Sequence, residues 1–453
     1  MMKNILLVAH SNPQTARIFG GTELLLQQIL DVSKVQRFSL FFMYPEQNSK
    51  KNTWVIELDK EIVLRFSVED SDTGKILEFS KVITSFVLRE KIDCLHVFHQ
   101  LSTPLVLIPV SKLLGIKTIY TIHDFIHICD SFNLINSNRD YCNIFSSESH
   151  DCVGCASARG VDPEKLIKRR VAYKRILDDS DFITVGTKFS ATATSDFYNI
   201  DVNKFKVISP SINSSSLPKI KTQPKSILFL GNFTVPKGAH LINRLVRDKR
   251  LEFYTFTQAG RVDEEFHAEI SHLSENFDFK SLGKYTLGEV PEFSASIAFF
   301  GSIWPETFCV AATEAMEMGL KIVIPDIGAF RDRFLGKENC FFYEPNNLES
   351  GVSAILTAES TPVQIVDKPD SETNYASQIF DLYTSIDTFQ RKEFVEMDYS
   401  SLKIPLSFDW IFQDSQNSLD QSNRSNFDRA KKYLKAYGFV ATLKRLLREL
   451  LGK

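Results

Sequence analysis

The chain has 453 residues, 43% of them hydrophobic and 24% charged, an ordinary globular composition that excludes disorder, collagen and a disulfide-stapled miniprotein. Lys plus Arg (53) against Asp plus Glu (56) leave a net charge of -3, so the bulk charge offers no attraction to nucleic acid or to anionic lipid. No apolar run approaches the ~18 to 20 residues of a membrane-spanning helix.

The first apolar stretch, Ile5 to Ala9, is too short for a signal peptide and reads as a buried strand, so a cytoplasmic protein is expected. Its seven Cys then point to reduced thiols or a metal site instead of a disulfide framework. A helix from about Thr22 to Val32 follows, then a strand from Arg37 to Met43 and strands through Trp54 to Ser67. Downstream, a helix from Ile76 to Arg89 feeds Cys94 to Phe98, one from Pro104 to Leu114 feeds Thr118 to Ile122, and one from Glu164 to Leu177 feeds Phe182 to Val185. This rhythm predicts a mostly parallel sheet with helices on both faces.

Between Ser209 and Pro224 the pattern dissolves into Ser, Asn, Pro and Lys, a linker composition that sets a domain boundary at residues 215/216. A second series runs through Ser226 to Leu230, a helix from Ala239 to Arg247, Phe253 to Thr257, Ile297 to Phe300, a helix from Thr307 to Met318, Lys321 to Ile324 and Cys340 to Tyr343. The expected α/β architecture is two tandem Rossmann-like domains, residues 1–215 and 216–365, facing an interdomain cleft. A crossover helix in 366–390 and a tail over 391–453 complete it. Ligands of such sheets bind beyond the carboxyl ends of the strands.

Four constellations fall at such positions. Gly20 and Gly21, followed by Thr22 and Glu23, lie between the first strand and first helix, where glycines permit close backbone approach and helix N–H groups face an anion. Gly231-Asn232-Phe233-Thr234-Val235-Pro236-Lys237-Gly238 follows the first strand of the second domain and puts Lys237 where an ammonium can meet a pyrophosphate. Glu306 and Glu314 stand eight residues apart around Thr307 and Phe308, within about 80° of one helical face if the helix starts at Thr307. Glu306 could stabilise that helix through its dipole, while Glu314, among Ala, Val, Met and Cys, needs a partner such as a ligand hydroxyl. His123 and Asp124 close a strand of the first domain.

With these four in this order, the sequence resembles the retaining nucleotide-sugar glycosyltransferases of the two-domain GT-B type, specifically glycosyltransferase family 4, over most of residues 1 to 390. The resemblance implies that Lys237 holds the donor pyrophosphate, Glu306 contacts hydroxyls of the transferred sugar and Glu314 binds the ribose. It also implies that the backbone at Thr307 and Phe308 adds to the phosphate site, that His123 lies near donor sugar and acceptor, and that Gly20 and Gly21 let donor or acceptor approach. His123, Glu306 and Lys237 are thus the expected catalytic residues. Many family members carry Arg where this chain has Asn232, which supplies no charge; either another cation such as Arg261 compensates or donor affinity is reduced.

The implied activity is transfer of a sugar from a nucleotide-sugar to a glycan or lipid-linked acceptor with retention, in cell-surface polysaccharide or glycolipid synthesis, with no catalytic cofactor. A catalytically silent partner on the same fold and a sugar-nucleotide epimerase are the alternatives. Cys129, Cys142, Cys152 and Cys155, in a Cys-rich loop over residues 129–155, form a candidate structural zinc site. Finally, Phe427 to Lys453 carries eight Lys/Arg against two Asp/Glu, with Leu443, Leu446, Leu447 and Leu450 in one helical stripe. That is the pattern of a helix docking on an anionic membrane, here the inner face of the plasma membrane.

Overall fold

A computed structural model describes residues 2–16, 20–32, 38–46, 52–68, 74–101, 104–146, 150–212, 217, 220, 222–284, 294–362 and 374–386. The expected basic helix at 427–453 lies outside the described residues. Among those described, no helix is long and apolar enough to cross a membrane.

The first domain contains β1 (Lys3–Val8), α1 (Gly21–Val32), β2 (Phe38–Pro45), β3 (Asn52–Leu58), β4 (Glu61–Val68), α2 (Gly74–Arg89), β5 (Cys94–Val97), α3 (Leu107–Leu113) and β6 (Lys117–Ile122). It continues with α4 (Cys152–Ala158), α5 (Pro163–Asp179), β7 (Phe182–Val185), α6 (Lys188–Tyr198) and β8 (Phe205–Val207). Its sheet runs β4-β3-β2-β1-β5-β6-β7-β8. Ile5, Leu6, Leu7 and Val8 are wholly buried because β1 is central, paired in parallel with β2 and β5 and covered on both faces. Antiparallel pairing is confined to β2-β3-β4. There Asp59 and Lys60, both at positive φ, make the two-residue turn that suits strand twist.

The second domain contains β9 (Ser226–Leu230), α7 (Ala239–Val246), β10 (Thr255–Ala259), α8 (His267–Asn276), β11 (Phe279–Ser281), β12 (Ile297–Phe299) and α9 (Val310–Glu317). β13 (Lys321–Pro325), α10 (Gly328–Phe334), β14 (Cys340–Tyr343) and α11 (Leu348–Ser360) follow, in an all-parallel sheet of order β11-β10-β9-β12-β13-β14. α12 (Tyr375–Ser385) returns to the first domain, where Tyr375, Ile379, Phe380 and Tyr383 pack with Ile5, Leu26 and Ile29. Lys3 Nζ donates to the carbonyls of Tyr383 (3.1 Å) and Thr384 (2.8 Å) and fastens that helix beside β1.

Two elements differ from the sequence expectation. β10 begins at Thr255, not Phe253, because Lys249–Leu251 forms a 3-10 turn that leaves Phe253 outside the sheet and 75% exposed. The helix expected from Thr307 begins only at Val310, since Glu306 (φ 51°) and Cys309 (φ 67°) hold left-handed backbone that no α-helix can include.

Topology places the site. In the first sheet the strand order reverses between β1 and β5, and in the second between β9 and β12. Chain leaving those four carboxyl ends therefore diverges to opposite faces and leaves a crevice. The segments concerned are those holding His10, His99, Lys237 and Glu306.

Candidate active site in the interdomain cleft

The second-domain wall is built around Lys237. The loop after β9 turns into α7 at Gly238 (φ 75°), where a Cβ would come within 1.9 Å of the Gly301 carbonyl. Only glycine lets the β9 loop lie against the end of β12, and that approach brings Lys237 Nζ to 2.6 Å from Glu306 Oε1. Ser302 Oγ donates to the same oxygen at 2.7 Å. Glu306 is 4% exposed, whereas the Lys237 side chain is 34% exposed and open on one side. Burial alone would lower the Lys237 pKa, but the adjacent carboxylate overrides it and holds the ammonium above its usual value. The ring of Trp304, 5.9 Å from Nζ, adds its electron-rich face.

Glu306 thus does not start the α9 helix, and it shares no helical face with Glu314; it belongs to the loop before the helix and faces Lys237. Glu314 does lie on α9, is 5% exposed, and already has a protein partner. The strained segment from Glu306 to Cys309 is held from both domains. Arg333 donates to the carbonyls of Phe308 (2.6 Å) and Cys309 (3.2 Å) and to Thr313 Oγ1 (2.6 Å), and its guanidinium stacks 3.5 Å from the Phe308 ring centre. From the first domain, Thr187 Oγ1 donates to the Thr307 carbonyl at 3.1 Å. Thr307 Oγ1 in turn donates to the His123 carbonyl at 2.6 Å. Two left-handed residues cost on the order of 1–3 kcal/mol each and persist only where surrounding contacts enforce them.

The first-domain wall is a cluster of imidazoles. His10, His99 and His123 follow β1, β5 and β6, with ring centres 4.5 Å apart for His10 and His99 and 6.1 Å for His99 and His123. Burial, reinforced by the neighbouring His99, pushes the His123 pKa down to about 3, so its ring is neutral. Two carboxylates orient the other rings. Glu23 Oε1 lies 2.9 Å from His10 Nε2, and Asp124 Oδ2 lies 3.2 Å from His99 Nε2. Burial would raise Glu23, but hydrogen bonds from His10 and the Gly20 N–H (2.9 Å) hold it at about 2. His10 Nδ1, His99 Nδ1 and His123 Nε2 are buried and lack a hydrogen-bond partner.

Gly20 and Gly21 lie at the start of α1. The Gly20 N–H serves Glu23, and a Cβ on Gly21 would sit 3.4 Å from Val310 Cγ2, so this loop abuts the start of α9 across the cleft. Asn232 is exposed, and its Oδ1 accepts from the Arg261 N–H at 3.1 Å. Arg261 is therefore beside Asn232, with its guanidinium engaged by Asp263 at 2.8 Å. His10, His99, Ser302 and Trp304 were not singled out from the sequence. The rule that selected His123, a polar residue at a strand's carboxyl end, also covers His10 and His99.

The zinc expectation is corrected. Cys129, Cys142, Cys152 and Cys155 line one cavity of about 340 Å³ in the first domain, but they are not placed to hold a metal ion together. Cys129 Sγ faces Asp130 and Ser131, and Cys152 Sγ accepts from Arg170 at 3.4 Å. Among the described residues no group of three or more His, Cys, Asp or Glu is placed to hold a metal ion.

Residues 213–377 match the family described as Glycosyl transferases group 1, a span that contains Asn232, Lys237, Glu306 and Glu314. The whole architecture matches solved GT-B structures. Sucrose-phosphate synthase from Thermosynechococcus elongatus superposes with a TM-score of 0.60 at 14% identity, covering 84% of this chain and 98% of the other. Anabaena Alr3699/HepE in complex with UDP and glucose gives 0.54 at 16% identity, covering 85% and 100%. A glycosyltransferase from Rickettsia africae gives 0.54 at 14% identity, covering 94% and 99%. None of the curated proteins compared matches the chain. The protein has the GT-B fold: two parallel-sheet domains with facing carboxyl edges.

Proposed function

We propose that the protein is a glycosyltransferase that moves a sugar from a nucleotide-sugar donor to a glycan or lipid-linked acceptor, with retention of anomeric configuration. The observation that carries this reading is the half-open Lys237 ammonium paired with the buried Glu306 carboxylate at a switch point of the second sheet. The family match of that domain supports it.

In this reading the Lys237 ammonium neutralises charge developing on the departing nucleoside diphosphate, the dominant contribution to rate. Glu306, released from sole pairing with Lys237, accepts hydrogen bonds from sugar hydroxyls, and Glu314 takes the ribose. The imidazoles of the opposite wall hydrogen-bond donor sugar and acceptor through ring nitrogens that have no partner among the described residues. The acceptor hydroxyl attacks from the leaving-group side and passes its proton to a donor phosphate oxygen. Contacts such as Thr307 to His123 keep water out of the closed cleft. A lipid-linked acceptor accords with membrane docking of the basic segment 427–453.

The test is thermal unfolding against UDP, GDP, ADP, dTDP and their common sugars, where ligand at 100 times its Kd stabilises by about 2.7 kcal/mol. A shift with one nucleotide that vanishes in Lys237→Ala supports the reading, and NMR of the product anomer tests retention. One observation favours a second reading, a catalytically silent binding partner: Asn232 brings no charge and Arg261 is tied to Asp263. No shift with any donor would select it.

A further inference from the structure

The thiol-lined cavity is separate from the Lys237–Glu306 pair. It is walled by the Cys-rich loop, α4 and α5, and it gathers four of the seven cysteines. Cys152 and Cys155 are three residues apart on α4, so their Cα atoms stand about 5 Å apart on one helical face. That falls within the Cα span of roughly 4.4 to 6.8 Å found in disulfides, and a small adjustment of the first helical turn brings the Cβ atoms into range. The turn is fixed by its own sequence. Asp151 Oδ1 accepts from the Gly154 N–H at 2.7 Å, and a Cβ on residue 154 would come within 2.0 Å of the Asp151 carboxylate. Both thiols are partly exposed, unlike the buried Cys94 and Cys309. Two guanidinium groups border the cavity: Arg170 donates to Cys152 Sγ at 3.4 Å, and Arg159, pinned by Asp130 at 2.7 Å, donates to Cys129 Sγ at 3.6 Å.

We propose that Cys152 and Cys155 are a reversible dithiol–disulfide site that exchanges with small-molecule disulfides such as oxidised glutathione. The Cys152 thiolate attacks one sulfur of the disulfide, forming a mixed disulfide and releasing one thiolate. The Cys155 thiolate then attacks Cys152 Sγ, closing the intramolecular bond and releasing the second. Two electrons pass from the protein thiols to the small disulfide, and the two thiol protons end on the two released thiolates.

The cavity wall also touches the second domain. Ile135 and Tyr141 belong to the loop whose Arg139 pairs with Glu265 of the second domain at 2.6 Å, and Ile135 packs against that domain's core.

The experiment treats the full-length protein with oxidised glutathione, blocks remaining thiols with iodoacetamide and maps peptides by mass spectrometry. The expected result is a Cys152–Cys155 link, reversed by dithiothreitol, with Cys94 still reduced. In Cys155→Ser the reaction should stop at a glutathione adduct on Cys152, and in Cys152→Ser no intramolecular link should form. Thermal unfolding of both variants verifies that they fold. Unmodified thiols under oxidation that glutathionylates an exposed cysteine on a control protein would overturn the proposal. So would a link between other cysteines, or stoichiometric zinc or iron in the purified protein protecting all four thiols. None of these outcomes depends on sugar transfer.

Discussion

The two walls of the cleft handle charge in opposite ways. The second-domain wall holds a full ion pair, Lys237 with Glu306 at 2.6 Å, in a loop whose backbone is strained to bring the partners together. The first-domain wall is lined with imidazoles, of which His123 is kept neutral by burial. One wall can therefore stabilise a departing diphosphate with a cation, while the other offers imidazole nitrogens to hydroxyls, two of its rings held by the Glu23 and Asp124 carboxylates. A site that must separate charge at one end and position hydroxyls at the other needs that asymmetry.

The largest effect that sharpens this contrast is acid sensitivity. His96 and His123 have pKa values near 3 and His127 near 4, all below the ordinary 6.5 because burial penalises the imidazolium. The unfolded chain binds protons below pH 6.5 that the folded chain refuses, so stability is full above that pH and falls as pH drops toward 4. Between pH 7 and 5 each of the three imidazoles should cost about 2 kcal/mol. Urea midpoints at the two pH values check this, and equal midpoints would mean that His123 of the wall and its buried neighbours His96 and His127 are not held neutral.

Next in size is the charged wall. Lys237→Ala should reduce transfer by about 100-fold or more, with loss of nucleotide-induced thermal stabilisation, because among the described residues no other cation donates a hydrogen bond to Glu306. Retained transfer activity would remove Lys237 from the site. Thr307→Val tests the seam between the walls. It deletes the hydroxyl that donates to the His123 carbonyl at 2.6 Å, a loss of about 1–2 kcal/mol that should weaken donor binding roughly tenfold and appear as a larger radius in small-angle scattering. The smallest effect concerns Cys309, a buried non-glycine residue at φ 67°. Cys309→Gly relieves about 1 kcal/mol of backbone strain and loses a comparable amount of buried contact, so thermal unfolding should move by less than a few degrees.

Much of the framework was legible in the sequence because strands buried on both faces are continuous apolar runs, as in Ile5 to Ala9 and Ser226 to Leu230, and helices between them keep a 3.6-residue period. Lys237 and His123 were legible for the same reason, since each stands just beyond such a run. Glu306 was singled out on a mistaken structural premise. Its apparent place at a helix start followed from spacing, and nothing local in Pro305-Glu306-Thr307-Phe308-Cys309 announces two left-handed residues. Those are enforced by Arg333 and by hydroxyls of the other domain, groups distant in sequence. The Cys pattern misled in a related way. A C-x(2)-C spacing fixes two thiols on one helix turn, but whether Cys129 and Cys142 join them at a common point depends on loop geometry.

The sequence by itself determined the two α/β units, the crossings at which ligands can bind, and the residue types available there, because burial, periodicity and turn chemistry act over short stretches. Only the tertiary structure decided that Glu306 faces Lys237, that Thr307 ties the seam, and that three histidines from separate strands share one wall. Each of those contacts joins residues tens to hundreds of positions apart, and their distances and desolvation are set by how the two sheets pack.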